Sequence, residues 1–264
     1  MPNVEKWTYH SRMSDPADYA AAIAELPSDI GVLNGIVQGV LVHADWLAAY
    51  GIDDSWSHAA SRTTLPVADR LGSIFEKDAR TLSIGRPPDK RAVGTCRDLA
   101  LMLCSFLRCK GIPSRVRCGF AAYFGNRWED HWVCEYWDQQ AQRWRLSDPQ
   151  IDALLKDQLR IEFDPKDVPR QAFVTAGQAW LDCRGARSDP DQFGQGEVTG
   201  LWFIKVNVFR DHYVLNARET SVWDSWRTAP SSKRAIDEHE VALLDGLAAR
   251  PEQPLVETVP NWLG

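Results

Sequence analysis

Cys96, His131 and Asp148 are the residues of this chain whose types and order could do chemistry together. Thiolate catalysis needs a sulfur whose charged form is stabilised, a base to activate it, and a group that orients the base. Cys96 meets the first need through its local sequence. Thr95 reads as an N-cap, and Asp98 three residues on completes a capping-box pattern, so the sulfur would stand over a helix N-terminus. Unpaired backbone N–H groups and the positive dipole end gather there. With a cation nearby they lower a thiol pKa from ~8.5 to between ~3.5 and ~7.5.

A hairpin supplies the other two residues. His131–Trp137 and Arg143–Asp148 alternate as strands. Placing His131 opposite Asp148 pairs 133 with 146, 135 with 144 and 137 with 142. Asp138-Gln139-Gln140-Ala141 is then left as a four-residue loop, a common hairpin connection. On that alternation Asp148 shares a face with Leu146 and Trp144, while Arg143, Arg145 and Ser147 face the other way. A carboxylate on the apolar face is costly unless a partner needs it, and an imidazole directly across would serve. Pro149 ends the strand.

The elements around these residues follow from capping and periodicity. Ser14-Asp15-Pro16 opens an Ala-rich helix to Leu26, and Ser28 and Asp29 open a second periodic segment that runs to about Tyr50, stopped by Gly51. Leu65–Asp78 is a third helix, followed by the polar connector Gly85–Lys90. Thr95–Lys110 is a helix with Leu99, Leu103 and Phe106 facing the core, ended by Gly111 and Pro113. Ser114–Phe124 reads as a half-buried strand. Helical patterns return at Asp167–Leu181, Leu201–Asn216 and, more weakly, Ser231–Ala249, with Arg184–Gly200 as a loop. Helices, then one helix with an antiparallel sheet, then helices again, make the class α+β. The expected regions are 1–80 helical, 81–165 a catalytic core and 166–264 a helical extension, forming one structural unit.

Four stretches resemble a known family. Gly94-Thr95-Cys96-Arg97-Asp98-Leu99-Ala100, followed by Leu107-Arg108-Cys109-Lys110-Gly111-Ile112-Pro113-Ser114-Arg115-Val116, resembles the nucleophile helix and next strand of the transglutaminase-like superfamily. Asp130-His131-Trp132-Val133 and Asp148-Pro149 resemble its histidine and aspartate motifs, in the same order. The resemblance implies a papain-like core, a helix packing its N-terminus against an antiparallel sheet. It further implies Cys96 as nucleophile, His131 as general acid/base and Asp148 as orienter. The implied reaction is acyl transfer from a peptide, protein or small amide substrate through a thioester. Whether water or an amine resolves the thioester is left open, with hydrolysis preferred and an amine-transferring transglutaminase or biosynthetic acyltransferase as the rival within enzymes. The rival of another class is a catalytically silent papain-like interaction domain. A second oxyanion donor, usual in related families, has no counterpart motif upstream of Gly94.

Composition excludes several other functions. Thirty basic against 36 acidic side chains give a net charge of −6 without a basic block, which argues against nucleic acid and anionic membrane as partners. The most apolar stretch, Ile30–Tyr50, is broken by Asn34, Gln38, His43 and Asp45, so no membrane span is expected. The polar opening Met1–Lys6 has no secretory h-region, and the dispersed cysteines read as reduced thiols, so the expected compartment is the cytoplasm. Cys104, Cys109, Cys118 and Cys134 contain no C-x-x-C pair, so no metal is expected. Gly194, Gly196 and Gly200 do not spell a nucleotide-binding fingerprint, and no cofactor is expected. His43, His58 and His212 read as hydrogen-bonded helix or loop residues. The Trp- and Phe-rich run Leu201–Arg227 reads as a helix packed on the core, not a stacking surface for bases.

Overall fold

The computed structural model describes residues 4–53, 66–219 and 236–255, and its mixture of helices and strands is α+β. His58, the start of the helix expected from Leu65, residues 220–227 of the aromatic run and the start of the segment expected from Ser231 lie outside the described residues. Two compact units divide the chain. The first is Met1–Val116 with Val133–Val168, and the second is Arg117–Trp132 with Pro169–Gly264.

The first unit holds helices α1 (Ala20–Ala24), α2 (Ile30–Val40), α3 (Val67–Lys77), α4 (Cys96–Cys109) and α5 (Ala153–Gln158). Strands β1 (Leu41–His43) and β2 (Ala92–Gly94) pair in parallel. Strand β3 (Ser114–Ala121) begins in this unit, and β4 (Trp128–Asp138) ends in it beside β5 (Arg143–Ser147). Every residue of α4 from Cys96 to Arg108 is buried, so its polar groups are costly unless they find partners within the protein. Arg108 does so by donating from Nε to the Ser114 carbonyl (3.0 Å) and from Nη1 to Ser14 Oγ (2.7 Å). The helix stops as its sequence dictates, with Gly111 in the left-handed region at φ +69°. Arg115 on β3 is buried as a cation between rings, 4.2 Å from the Trp144 centroid and 5.1 Å from that of Trp7, with Nε donating to Glu135 Oε2 at 2.7 Å.

Three expectations need correction in this unit. The segment opened by Asp29, whose side chain does cap Val32 N–H, is helical only to Val40. Leu41–His43 leave the helix to pair with Ala92–Gly94, and Ala44–Tyr50 form a 3-10 helix before Gly51. The Ala-rich run is likewise shorter than expected, a 3-10 turn at Ala17–Tyr19 and then α1. The third correction concerns the hairpin, whose register pairs Cys134 with Ser147, Glu135 with Leu146 and Asp138 with Arg143. His131 and Asp148 are therefore not an opposed pair. The loop chemistry explains the slip of two. Asp138 Oδ1 accepts the N–H groups of Gln140 (2.8 Å) and Ala141 (2.9 Å), and Gln142 takes φ +49°, so the four loop residues are 139–142. A slip of two preserves the alternation, and Glu135 still shares the face of Leu146.

The second unit holds the remainder of β3 and β4, strands β6 (Phe173–Thr175), β7 (Phe193–Gln195) and β8 (Val198–Thr199), and helices α6 (Ala176–Arg184), α7 (Leu201–Val214) and α8 (Glu238–Ala249). Its core gathers Phe120, Trp180, Phe193, Phe203, Phe209, Leu244 and Leu247. β6 pairs antiparallel with β3 at Gly119↔Thr175, and β7 runs parallel to β4 at Trp128↔Phe193. Gly119 is required there, since a Cβ would stand 2.1 Å from the Val174 carbonyl oxygen. The expected helix Asp167–Leu181 is a second-period mistake: Phe173-Val174-Thr175 are a strand, and the helix starts only where Thr175 Oγ1 accepts Gln178 N–H. Arg184–Gly200 likewise contains the β7–β8 hairpin, turned through Gly196 at φ +56°.

Every position of α7 from Trp202 to Val214 is buried, which is why its polar residues carry partners. His212 donates from Nδ1 to the Pro251 carbonyl at 3.0 Å, and burial lowers its pKa. A histidine with a lowered folded-state pKa stabilises the fold above its unfolded value, about 6.5, and loses that contribution as pH falls. Melting temperatures measured from pH 8 to 5 should therefore drop, and His212→Asn should flatten the drop. An unchanged slope in that variant would rule His212 out as the cause. Among the described residues no helix is long and apolar enough to cross a membrane, and no group of three or more His, Cys, Asp or Glu is placed to hold a metal.

Candidate active site

Cys96 begins α4 immediately after β2. Thr95, the N-cap, has extended backbone (φ −114°, ψ 174°), which turns the strand into the helix. Asp98 Oδ2 accepts the Thr95 N–H at 2.8 Å and the Thr95 hydroxyl at 3.0 Å. Asp98 Oδ1 accepts from Arg70 Nη2 at 2.8 Å, while Nη1 of the same guanidinium donates to the Val93 carbonyl at 2.8 Å. One arginine from α3 thus ties the end of β2 to the first turn of α4. Gly94 leaves room for this closure, because a Cβ would fall 2.9 Å from Asp98 Cβ.

Two features of this helix start favour a charged sulfur, against the burial that opposes one. The first turn of a 14-residue helix presents backbone N–H groups with no intrahelical acceptor, and its dipole adds positive potential. Asp98 alone would oppose a thiolate two residues away, but its charge is paired with Arg70. Cys96 itself is 8% exposed, so few waters compete for these N–H groups.

Asp148 follows the last residue of β5 and is wholly buried. Its N–H donates to the Pro165 carbonyl at 2.8 Å, and its Oδ1 accepts the Gln150 N–H at 2.9 Å, an Asx turn across Pro149. The preceding Ser147 accepts from Asn34 Nδ2 on α2 at 2.8 Å. The carboxylate is therefore held by the Gln150 N–H, and the main chain that carries it by the Pro165 carbonyl. Cys96, at a helix start, and Asp148, one residue past a strand end, both belong to the first unit.

His131 lies on the part of β4 that belongs to the second unit. It is 2% exposed and set among aromatic rings: Phe124 at 4.7 Å between centroids, Tyr123 at 6.0 Å and Phe173 at 6.5 Å, each edge-on. Edge-on packing of this kind constrains the plane of the imidazole. The sequence reading missed these rings, and Arg70 as well. Neither left a local signal, since each meets its partner only through the fold.

Burial pushes the pKa of Cys134 well up, with Cys104 beside it adding to the effect, and raises that of Cys109. Cys183 is pushed up to about 11 by burial and by Asp182 and Asp189. Of the other histidines, His43 accepts the Asp45 N–H on Nδ1 at 3.1 Å, and His10 Nε2 lies 3.5 Å from Cys109 Sγ.

Residues 80–149 match the family model of the transglutaminase-like superfamily, so the segment holding Cys96, His131 and Asp148 is transglutaminase-like. A provisionally assigned cysteine protease from Cytophaga hutchinsonii, solved at 1.9 Å, aligns with 15% identity and a TM-score of 0.39. The alignment covers 66% of this chain and 46% of that one, so the chain spans less than half of that protein's length. At that level the likeness carries no functional argument. No curated protein matches the chain.

Proposed function

We propose that the transglutaminase-like segment is catalytic, with Cys96 as nucleophile, His131 as general acid/base and Asp148 as the carboxylate that orients it. The family of residues 80–149 supports a cysteine-based enzyme. The observation that carries the reading is the start of α4, where a buried sulfur meets a helix N-terminus and the one nearby carboxylate of the first turn is ion-paired with Arg70.

The substrate is an amide, either a peptide bond or a Gln carboxamide. The Cys96 thiolate attacks the carbonyl carbon, and the resulting oxyanion accepts the Cys96 N–H. As the C–N bond breaks, the His131 imidazolium gives its proton to the departing amine, leaving a thioester. His131, now neutral, takes a proton from water, and the hydroxide attacks the thioester carbon. Collapse releases the carboxylic acid and returns sulfur to the thiolate. An amine in place of water gives a new amide by the same proton transfers. Hydrolysis is the preferred outcome, acting on a peptide, protein or small amide without a cofactor. The compartment that fits six reduced thiols is the cytoplasm.

Iodoacetamide alkylation, followed residue by residue across pH, tests this assignment. Cys96 should react at pH 6–7, where Cys183 and Cys109 stay protonated and lag by tenfold or more. Cys96 reacting no faster than Cys183, with no plateau at low pH, would leave a papain-like interaction domain as the better reading.

A further inference from the structure

Several buried charged groups lie outside the proposed triad, and three of the polar residues that meet them sit on α7. Asn207, Arg210 and Asp211 are all buried there. Asp211 accepts from Arg117 Nε at 2.9 Å and Nη2 at 2.7 Å, and from the Cys118 N–H at 3.0 Å, so this carboxylate grips β3 by side chain and backbone together. One turn earlier, Asn207 Nδ2 donates to Asp130 Oδ1 at 2.8 Å, and Arg210 Nη1 lies 3.4 Å from Asp130 Oδ2. The same Nη1 donates to Asn207 Oδ1 at 2.9 Å, bracing the two donors against each other.

Asp130 immediately precedes His131 on β4. Successive strand side chains leave on opposite faces, so the carboxylate is held on the side away from the imidazole. A buried carboxylate is costly unless charge and hydrogen bonds meet it, and here both come from a single helix. The strand's height and rotation at Asp130 are thereby set by α7, and its neighbour β3 is set by the same helix through Asp211. An acid/base group must be held within roughly 0.5 Å of its working place, and rings packed edge-on fix its plane but not its height above the strand.

We propose that Asn207 and Arg210 are positioning residues for His131, acting through Asp130, so that helix α7 is part of the working acid/base apparatus although it lies outside residues 80–149. The inference rests on the reading of His131 as the acid/base. It gives the C-terminal region a role beyond covering apolar surface.

The test uses the full chain and two readouts, the NMR titration of the His131 Cε1–H and the pH profile of Cys96 alkylation by iodoacetamide. In Asn207→Ala, folded by its melting curve, the His131 resonance should move and broaden. Cys96 alkylation at pH 6 should fall about tenfold, while that of Cys183 stays put. Arg210→Lys, which keeps a cationic donor, should retain most of the wild-type behaviour in both readouts. Overlay of both readouts on wild type in folded Asn207→Ala would overturn the proposal. Should that variant fail to fold, Asp130→Asn, which keeps the shape and removes the charge, is judged by the same two readouts and the same criteria. A wild-type protein without a low-pH limb at Cys96 would count against the reaction, yet the His131 resonance would still decide the positioning role.

Discussion

His131→Ala should hydrolyse a p-nitrophenyl ester or an activated Gln amide about 10²–10⁴ times more slowly than wild type, the range typical for removing a general acid/base. The losses should be unequal for the two half-reactions. Thioester formation from a good leaving group needs little proton donation, whereas its hydrolysis needs a base to deprotonate water. The variant should therefore accumulate acyl-enzyme on Cys96, visible by intact mass, and Cys96→Ala should show none. Asp148→Asn should slow turnover less than His131→Ala and leave the fold intact, because an amide still accepts the Gln150 N–H. Equal turnover in wild type and His131→Ala would place the base elsewhere.

Arg70→Met should be the most destabilising single change near the site, at about 3–5 kcal/mol, because it strands Asp98 as a buried charge. It removes the donors to Asp98 Oδ1 and to the Val93 carbonyl in one step. The cost should show as a large fall in melting temperature. The surviving folded fraction should alkylate more slowly at Cys96, since an unpaired carboxylate in the first turn disfavours a thiolate. Adding Asp98→Leu should recover much of the stability, as replacing both partners of a buried pair by apolar groups often does. A melting temperature within a few degrees of wild type for Arg70→Met alone would show that the ion pair does not hold the start of α4.

The readings that survived contact with the structure were those written in short-range chemistry. Thr95, Asp98 and Gly111 mark both ends of α4 by their own capping and turn preferences, and the helix runs between them. Alternation likewise marks β3, β4 and β5, though β3 stops at Ala121, short of the expected Phe124, and is buried along its whole length where a half-buried strand was expected. What failed was decided at a distance or by an atypical turn. Leu41–His43 are apolar enough to continue α2 and become a strand only because Ala92–Gly94 offer an edge. Phe173–Thr175 become a strand because Gly119 lets another backbone approach. The hairpin register turned on Gln142, a residue with no glycine-like preference for positive φ, following an aspartate that folds its side chain into the loop. The same limit applies to the site. Cys96 and its cap were legible, whereas Arg70, Phe124 and Asn207 meet their partners across gaps of 28, 7 and 77 positions.

Neither compact unit is a contiguous run of sequence: each is assembled from two pieces, and β3 and β4 pass from one into the other. No single cut in the polypeptide can release either one whole. A product ending at Val168 would contain the entire family-matched stretch, yet it would leave Arg117 and Asp130 without the helix that neutralises them. For this protein, the smallest piece that can be excised and the smallest piece that a family profile recognises are different objects.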